Sequence, residues 1–241
     1  MCSIFFQFAP NTEIPVILGV NRDENLHRKS RKPHLWKTPQ IIAPQDLNKG
    51  GTWIGIHQAG HFAALTNRFG QPSPPEGLSR GDLTTQALEL TCPTQIQAWV
   101  AKLDLSRFGG FHLLWGNLTQ AVLIIADHGK PTLINLQPGK HLVAESSAGA
   151  NDLPRLTRLE GRLQSLQWDT PTLMNSLDTK HVDGFSDPWV HIPQMDYGTR
   201  CSQIIRLHKN LHQSELYFRE QLPQPGPWQN MSHLITELVA R

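Results

Sequence analysis

A cysteine stands directly behind the initiator methionine of this sequence, and the polar run Asn21, Arg22, Asp23 and Glu24 closes the second apolar stretch of the chain. Initiator methionine is removed when the next residue is small, and Cys2 is small enough, so the mature chain is expected to carry a thiol and a free α-amine on one residue. Unperturbed, such an amine titrates near ~7.7–8 and a thiol near ~8.5. A base then lies within reach of a nucleophile, as in enzymes whose first residue attacks the substrate. Residues 21–24 supply what that chemistry also needs. A carboxylate can hold an α-ammonium or orient a base, and a guanidinium favours thiolate over thiol by its charge.

The patterning indicates how these residues meet. SIFFQF (3–8) and PVILGV (15–20) are short β-rich runs separated by a turn at Ala9–Ile14, which reads as a hairpin. TWIGI and HFAALT repeat the design around a turn at His57–Gly60. Ser79 with Asp82 forms a capping-box-like helix start, Leu83, Ala87, Leu88 and Leu90 give an apolar stripe, and Pro93 is expected to end that helix. A second helix is expected through Ile96, Trp99, Val100 and Leu103, then strands in FHLLWGNL, AVLIIADHG and PTLINL. A helix from Leu153 to Leu166, a Pro- and Asp-rich segment, and a last hairpin around Lys209–Gln213 complete the order. Strands in adjacent pairs predict an α+β fold of antiparallel sheets with helices layered outside. In the first hairpin Cys2 neighbours residues 21–24. Alternation sends Asn21 and Asp23 to one face and Arg22 and Glu24 to the other. The expectation is that Asn21 and Asp23 face the pocket, while Arg22 and Glu24 tie the strand end to the adjacent layer.

The 241 residues, 39% hydrophobic and 17% charged, fit a single globular domain over 1–241. Cys2, Cys92 and Cys201 are too few and too scattered for a disulfide framework, which suits a reducing compartment and a cytoplasmic location. Gln7, Pro10, Asn11 and Glu13 interrupt the first apolar run, so it does not read as a secretory signal. No window reaches the roughly 18–20 apolar residues of a membrane span. The formal charge of +2 argues against nucleic-acid binding. The basic run at 27–37, with Arg28, Lys29, Arg31, Lys32 and Lys37, reads as a solvated loop broken by Pro33 that can draw an anionic ligand towards residues 21–24. His57 and His61, like His208 and His212, are expected to point apart and hold no metal. Cys92-Pro93 reads as a helix break with a buried thiol, and residues 71–78 as a linker or, equally well, a loop.

Taken in order, Met1-Cys2, NRDE at 21–24, GGTW at 50–53, ALTN at 64–67, SRG at 79–81 and YGTR at 197–200 followed by Cys201-Ser202 resemble the NRDE family, also called the transport and Golgi organisation protein 2 family. The resemblance implies a branch of the N-terminal nucleophile hydrolases with a four-layer αββα sandwich of antiparallel sheets. Choloylglycine hydrolases and penicillin V acylases are similar; they open with Met-Cys and cleave a non-peptide amide. Carried over, Cys2 matches the nucleophile, Asp23 the acid that positions the α-amine, Asn67 an oxyanion donor, and Arg200 a late-strand arginine. The pattern's Arg-Asn-x-Asp run falls on Val20, Asn21, Arg22 and Asp23, so valine stands where an arginine is expected. Glu145, Ser146 and Asn151 remain open as the second oxyanion residue, and Asn21, Arg22 and Trp53 are implied to bind substrate. Two functions follow. One is a hydrolase or acyltransferase acting on an amide or ester of a small molecule, without a cofactor. The other is a non-catalytic carrier for haem or for a lipid or acyl ligand.

Overall fold

Strand β1, Cys2–Phe8, turns through residues 9–15 into β2, Val16–Asn25, so the polar run 21–24 lies inside a strand and not beyond it. Strands β3 (Ser30–Leu35), β4 (Ile41–Asp46), β5 (Ile54–His57) and β6 (Phe62–Asn67) follow, then helices α1 (Arg80–Leu88) and α2 (Pro93–Val100). Next come β7 (Phe111–Gly116), β8 (Ala121–Ala126), β9 (Thr132–Asn135) and β10 (Gly139–Ala144), and helices α3 (Leu153–Ser165) and α4 (Thr170–Leu177). The chain continues with β11 (His191–Ile192), β12 (Tyr197–Leu207), β13 (Glu215–Glu220), β14 (Gln229–Asn230) and α5 (His233–Val239). The structure is a computed structural model and describes residues 2–68, 70–127, 131–145, 153–180, 184, 187–221 and 225–240.

Two antiparallel sheets result. The first runs β10-β1-β2-β12-β13-β14, with β11 beside β12, and the second runs β3 through β9 in chain order. Ile4, Phe6, Leu18 and Val20 from the first sheet meet Ile54, Ile56, Phe62 and Leu114 from the second in a core between the sheets. Ala63, Leu113 and Trp115 point the other way, against Leu83, Leu88, Ile96 and Val100 of α1 and α2. On the far side Phe5, Ile17 and Ile204 pack on Leu159, Leu163, Leu173 and Leu177 of α3 and α4. The antiparallel sheets with outer helices expected from the hairpin order, and the four-layer αββα sandwich implied by the family resemblance, are therefore observed.

Several elements differ from expectation. The basic run is mostly β3, an edge strand; Pro33 falls in its bulge, where the missing N–H costs the ladder nothing. Strands β4 and β10 and helix α4 lie in stretches without strong alternation. Pro93 opens α2 at its first turn, and α1 has already ended at Leu88.

Gly51 of GGTW and Gly81 of SRG owe their place to one close approach. A Cβ on Gly51 would lie 2.6 Å from the Gly81 carbonyl carbon and 2.9 Å from the Asp82 nitrogen. In return, Thr52 N donates to Gly81 O at 3.3 Å. Bare backbone thus seats the start of α1 against the loop that carries Trp53. Gly51→Ala is expected to destabilise the fold by about 1–3 kcal/mol through overpacking. Denaturant unfolding checks this, and an unchanged midpoint would show that the contact can relax.

Candidate active site

The pleat of β2 decides the site. Cys2 pairs with Arg22 across β1 and β2, and Cys201 pairs with Arg22 across β12 and β2. Cys2 alternates with Ile4 and Phe6, and Arg22 with Val20 and Leu18, all of which face the inter-sheet core. Cys2, Arg22 and Cys201 therefore stand side by side on three strands and point between the sheets. This overturns the expected face assignment: Arg22, not Asn21 with Asp23, shares the face of Cys2. Val20 lies on that same face one pleat deeper, packed in the core, so positions 20 and 22 share a side.

At the open end of this row lies a cavity of about 240 Å³. Of the residues singled out in the sequence, Cys2, Arg22, Asp23, Trp53 and Asn67 line it; Asn21 and Arg200 are not among its lining residues. The guanidinium of Arg22 lies 4.2 Å from the centre of the Trp53 ring and donates through Nη2 to Asp46 Oδ2 at 2.8 Å, while Nη1 is buried without a hydrogen-bond partner. Arg28 Nε shares Asp46 Oδ2 at 2.7 Å and its Nη1 reaches Glu24 Oε2 at 3.1 Å. The second oxygen of Asp46 accepts the backbone N–H groups of Asn48 and Lys49. The role of Asp46 was not legible in the sequence, because it closes β4, a strand whose residues carry no clean alternation.

Asp23 borders the cavity, but its carboxylate belongs to the α3 and α4 side of the sheet. Thr199 Oγ1 donates to Asp23 Oδ1 at 2.7 Å, and Arg155 Nη2 approaches Oδ2 at 3.4 Å. Arg155 Nη1 donates to Glu145 Oε1 at 2.6 Å, so two buried carboxylates share one buried guanidinium. Glu145 is thereby a counterion of Arg155, whereas Ser146 and Asn151 lie outside the described residues. Asn21 is structural in placement: its Nδ2 donates to Leu177 O and Pro188 O at 2.9 and 2.8 Å, and its Oδ1 accepts Ser202 Oγ at 2.6 Å. Arg200 donates to Leu26 O beyond the end of β2.

The sequence profile of the Transport and Golgi organisation 2 family matches residues 1–221. The chain belongs to that family. The human Transport and Golgi organization protein 2 homolog is 31% identical over 155 residues, a match that covers 58% of this chain and 55% of the human one. The chain thus spans about half the length of that relative. Among solved structures, a mutant conjugated bile acid hydrolase from Clostridium perfringens superposes with a TM-score of 0.52 at 9% identity, covering 97% of this chain and 93% of that one. An N-acylethanolamine-hydrolyzing acid amidase ortholog from Caenorhabditis elegans gives 0.50 at 11% identity, covering 85% and 92%. At such identities the likeness shows the fold, which is that of the N-terminal nucleophile hydrolases.

The thiols of this family member differ sharply. Burial pushes Cys2 up to about 11 and Cys201 to about 12, in each case against the favourable charge of Arg22. Cys92 is not the buried thiol expected: it precedes α2, its Sγ lies 3.0 Å from Thr94 Oγ1, and that hydrogen bond holds it below the usual thiol range. His57 and His61 also depart from expectation, since their rings stack 5.5 Å apart. Among the described residues, no three His, Cys, Asp or Glu converge as a metal site. With Met1 attached, limiting iodoacetamide at neutral pH should therefore modify Cys92 before Cys2 or Cys201, because the thiolate is the reactive form. Peptide mapping reads the order, and labelling of Cys2 first would mean that Arg22 outweighs burial.

Burial likewise raises Asp23 and Glu145 above the ordinary carboxylate range, with Arg155 opposing it. A carboxyl whose folded-state value is raised contributes stability below its unfolded value, near 4.5 for Glu145, and loses that contribution as pH climbs through the folded value. Glu145→Gln does not titrate. Its melting temperature should therefore gain on that of the parent as pH rises from about 4 to 8. A difference that stays flat or moves the opposite way would place the proton elsewhere.

Proposed function

We propose that the chain is a cysteine hydrolase or acyltransferase that cleaves a non-peptide amide or ester of a small molecule, with Cys2 as nucleophile after removal of Met1. The observation that carries this reading is that Cys2, Asn67 and Arg22, whose Nη1 is buried without a partner, line one cavity. While Met1 is attached, the nitrogen of Cys2 is an amide and no base, and a thiol at about 11 yields little thiolate at neutral pH. Cleavage of Met1 would convert that nitrogen into an amine on the nucleophile itself. In the proposed reaction Sγ attacks the carbonyl carbon and its proton passes to the α-amine. The carbonyl electron pair moves onto oxygen, where Asn67 donates, and the C–N or C–O bond breaks as the amine returns the proton to the leaving group. Water, activated by the same amine, then hydrolyses the thioester. Asp23, held by Thr199 and Arg155, is assigned to fixing the strand end and balancing the α-ammonium. The reaction class agrees with that of the two structural neighbours, a conjugated bile acid hydrolase and an N-acylethanolamine-hydrolyzing acid amidase.

The carrier reading is favoured by one fact, the raised thiol of Cys2. Against it, a cavity of about 240 Å³ falls below the ~300–1,000 Å³ typical of pockets for drug-sized ligands, so it does not enclose haem or a long acyl chain. Two measurements decide. Intact mass should show loss of Met1, and hydrolysis of p-nitrophenyl acetate should vanish in Cys2→Ala and fall roughly 10²–10³-fold in Asn67→Ala, the usual effect of an oxyanion donor. Retained Met1 with equal turnover in Cys2→Ala would sink the nucleophile. A Soret shift on titration with haem would move the assignment to the carrier.

A further inference from the structure

The cavity beside Cys2 holds more positive charge than its own carboxylates can match. Arg22, Arg28, Lys49 and Arg80 line it, together with Asp23, Glu24 and Asp46. Every one of these carboxylates is committed. Asp46 serves Arg22, Arg28 and two backbone N–H groups. Glu24 serves Arg28 and the Asn25 N–H. Asp23 serves Thr199 and Arg155 on the opposite face of the sheet. What remains is Arg80, which hydrogen-bonds the neutral carbonyl of Gly110 at 3.0 Å and feels the Glu24 charge without an ion pair to it, and Lys49, whose ammonium makes no salt bridge to a carboxylate among the described residues. Arg22, another lining residue, adds an independent observation: its side chain is only 5% exposed and its Nη1 is buried with no acceptor. A buried donor left without an acceptor is unfavourable, and a bound oxygen removes that deficit.

We infer that the substrate is anionic: an acyl compound bearing a carboxylate or phosphate that Arg80 and Lys49 receive, while Arg22 Nη1 donates to an oxygen nearer Cys2. The inference deepens the nucleophile reading and takes from it which end of the ligand reacts. The geometry supports the division of labour. Arg80 precedes Gly81 at the start of α1, whose position is fixed by the close contact with Gly51, and its guanidinium is near enough to Cys2 for the two charges to interact. Guanidinium and ammonium together suit a two-oxygen anion, the first through its planar fork and the second as a mobile point charge. Trp53, Leu65 and Leu78 furnish apolar wall in the same cavity.

The test compares kcat/KM for mono-p-nitrophenyl glutarate, which carries a free carboxylate, with that for neutral p-nitrophenyl pentanoate at low ionic strength. The parent should favour the anionic ester by about tenfold or more, and the ratio should approach one in Arg80→Gln and recover in part in Arg80→Lys. The ratio is used because a general loss of fold cancels in it. In parallel, Cys2→Ala is titrated calorimetrically with sodium glutarate and with inorganic phosphate; the tighter anion names the group, and adding Arg80→Gln or Lys49→Gln should weaken it. Hydrolysis of both esters without preference overturns the anionic substrate and leaves the nucleophile standing. Saturable anion binding lost in Arg80→Gln, with no turnover of either ester, upholds the anion site and overturns the nucleophile. Neither turnover nor binding overturns both.

Discussion

A carboxylate sealed from water must find donors within the protein, and that requirement at Asp23 organises this molecule. The Asp23 side chain is fully buried on the helix side of the first sheet. An isolated charge there would be prohibitive, and pairing offsets the desolvation only when the geometry is good. Thr199 comes from the neighbouring strand, Arg155 from α3, and Arg155 in turn needs Glu145 at the end of β10. Three segments distant in sequence are thus tied to one strand end. The cluster carries two potential negative charges against one positive, so an ammonium nearby would be stabilised. A freed α-amine on Cys2 would supply one.

The opposite face of the same strand solves the inverse problem. Arg22 enters a core otherwise built of isoleucine, leucine and phenylalanine, and is accommodated by stacking on Trp53 and by Asp46. Charges of opposite sign on adjacent residues of one strand are kept apart by the sheet itself. The arrangement therefore holds an anion on one side and a cation on the other, with Cys2 on the cationic side. Burial raises its thiol, and the positive charges of the chain terminus and of Arg22 oppose it.

The hairpins were legible because SIFFQF, PVILGV, TWIGI and HFAALT are short β-rich runs bounded by turn residues, and their pairing gave the layers. The αββα architecture followed from that order together with the family resemblance. Strand β4 was not legible, since IIAPQD contains a proline and no clean alternation, and α4 was hidden because Thr170-Pro171 resembles a loop although proline suits a helix's first turn. In the site, the sequence singled out Cys2, Arg22, Asp23, Trp53 and Asn67, which the fold gathers, but it assigned the faces of 21–24 the wrong way round. Periodicity tells which residues share a face and is silent on which layer that face meets. Arg28, Asp46, Lys49 and Arg80 are ordinary polar residues in sequence, and only tertiary packing turns them into a cavity wall.

The placement of Arg200 follows from the same strand end. Thr199 and Cys201 are two apart on β12, so a regular strand would send them to one side. Instead Thr199 pairs with Asp23 and Cys201 with Arg22, and the register shifts between them. Arg200 is the extra residue of that bulge, which is how a strand re-aims its side chains. Because of it, Thr199 reaches the carboxylate on the helix side while Cys201 joins Arg22 between the sheets, and Arg200 itself is turned out to the carbonyl of Leu26. Tyr197, whose hydroxyl donates to the carbonyl of Asp23 at 2.8 Å, completes the hold. YGTR is thus a clamp on NRDE: each of its three side chains holds the end of β2 or the turn after it. A regular strand in its place would leave Asp23 without its shortest hydrogen bond.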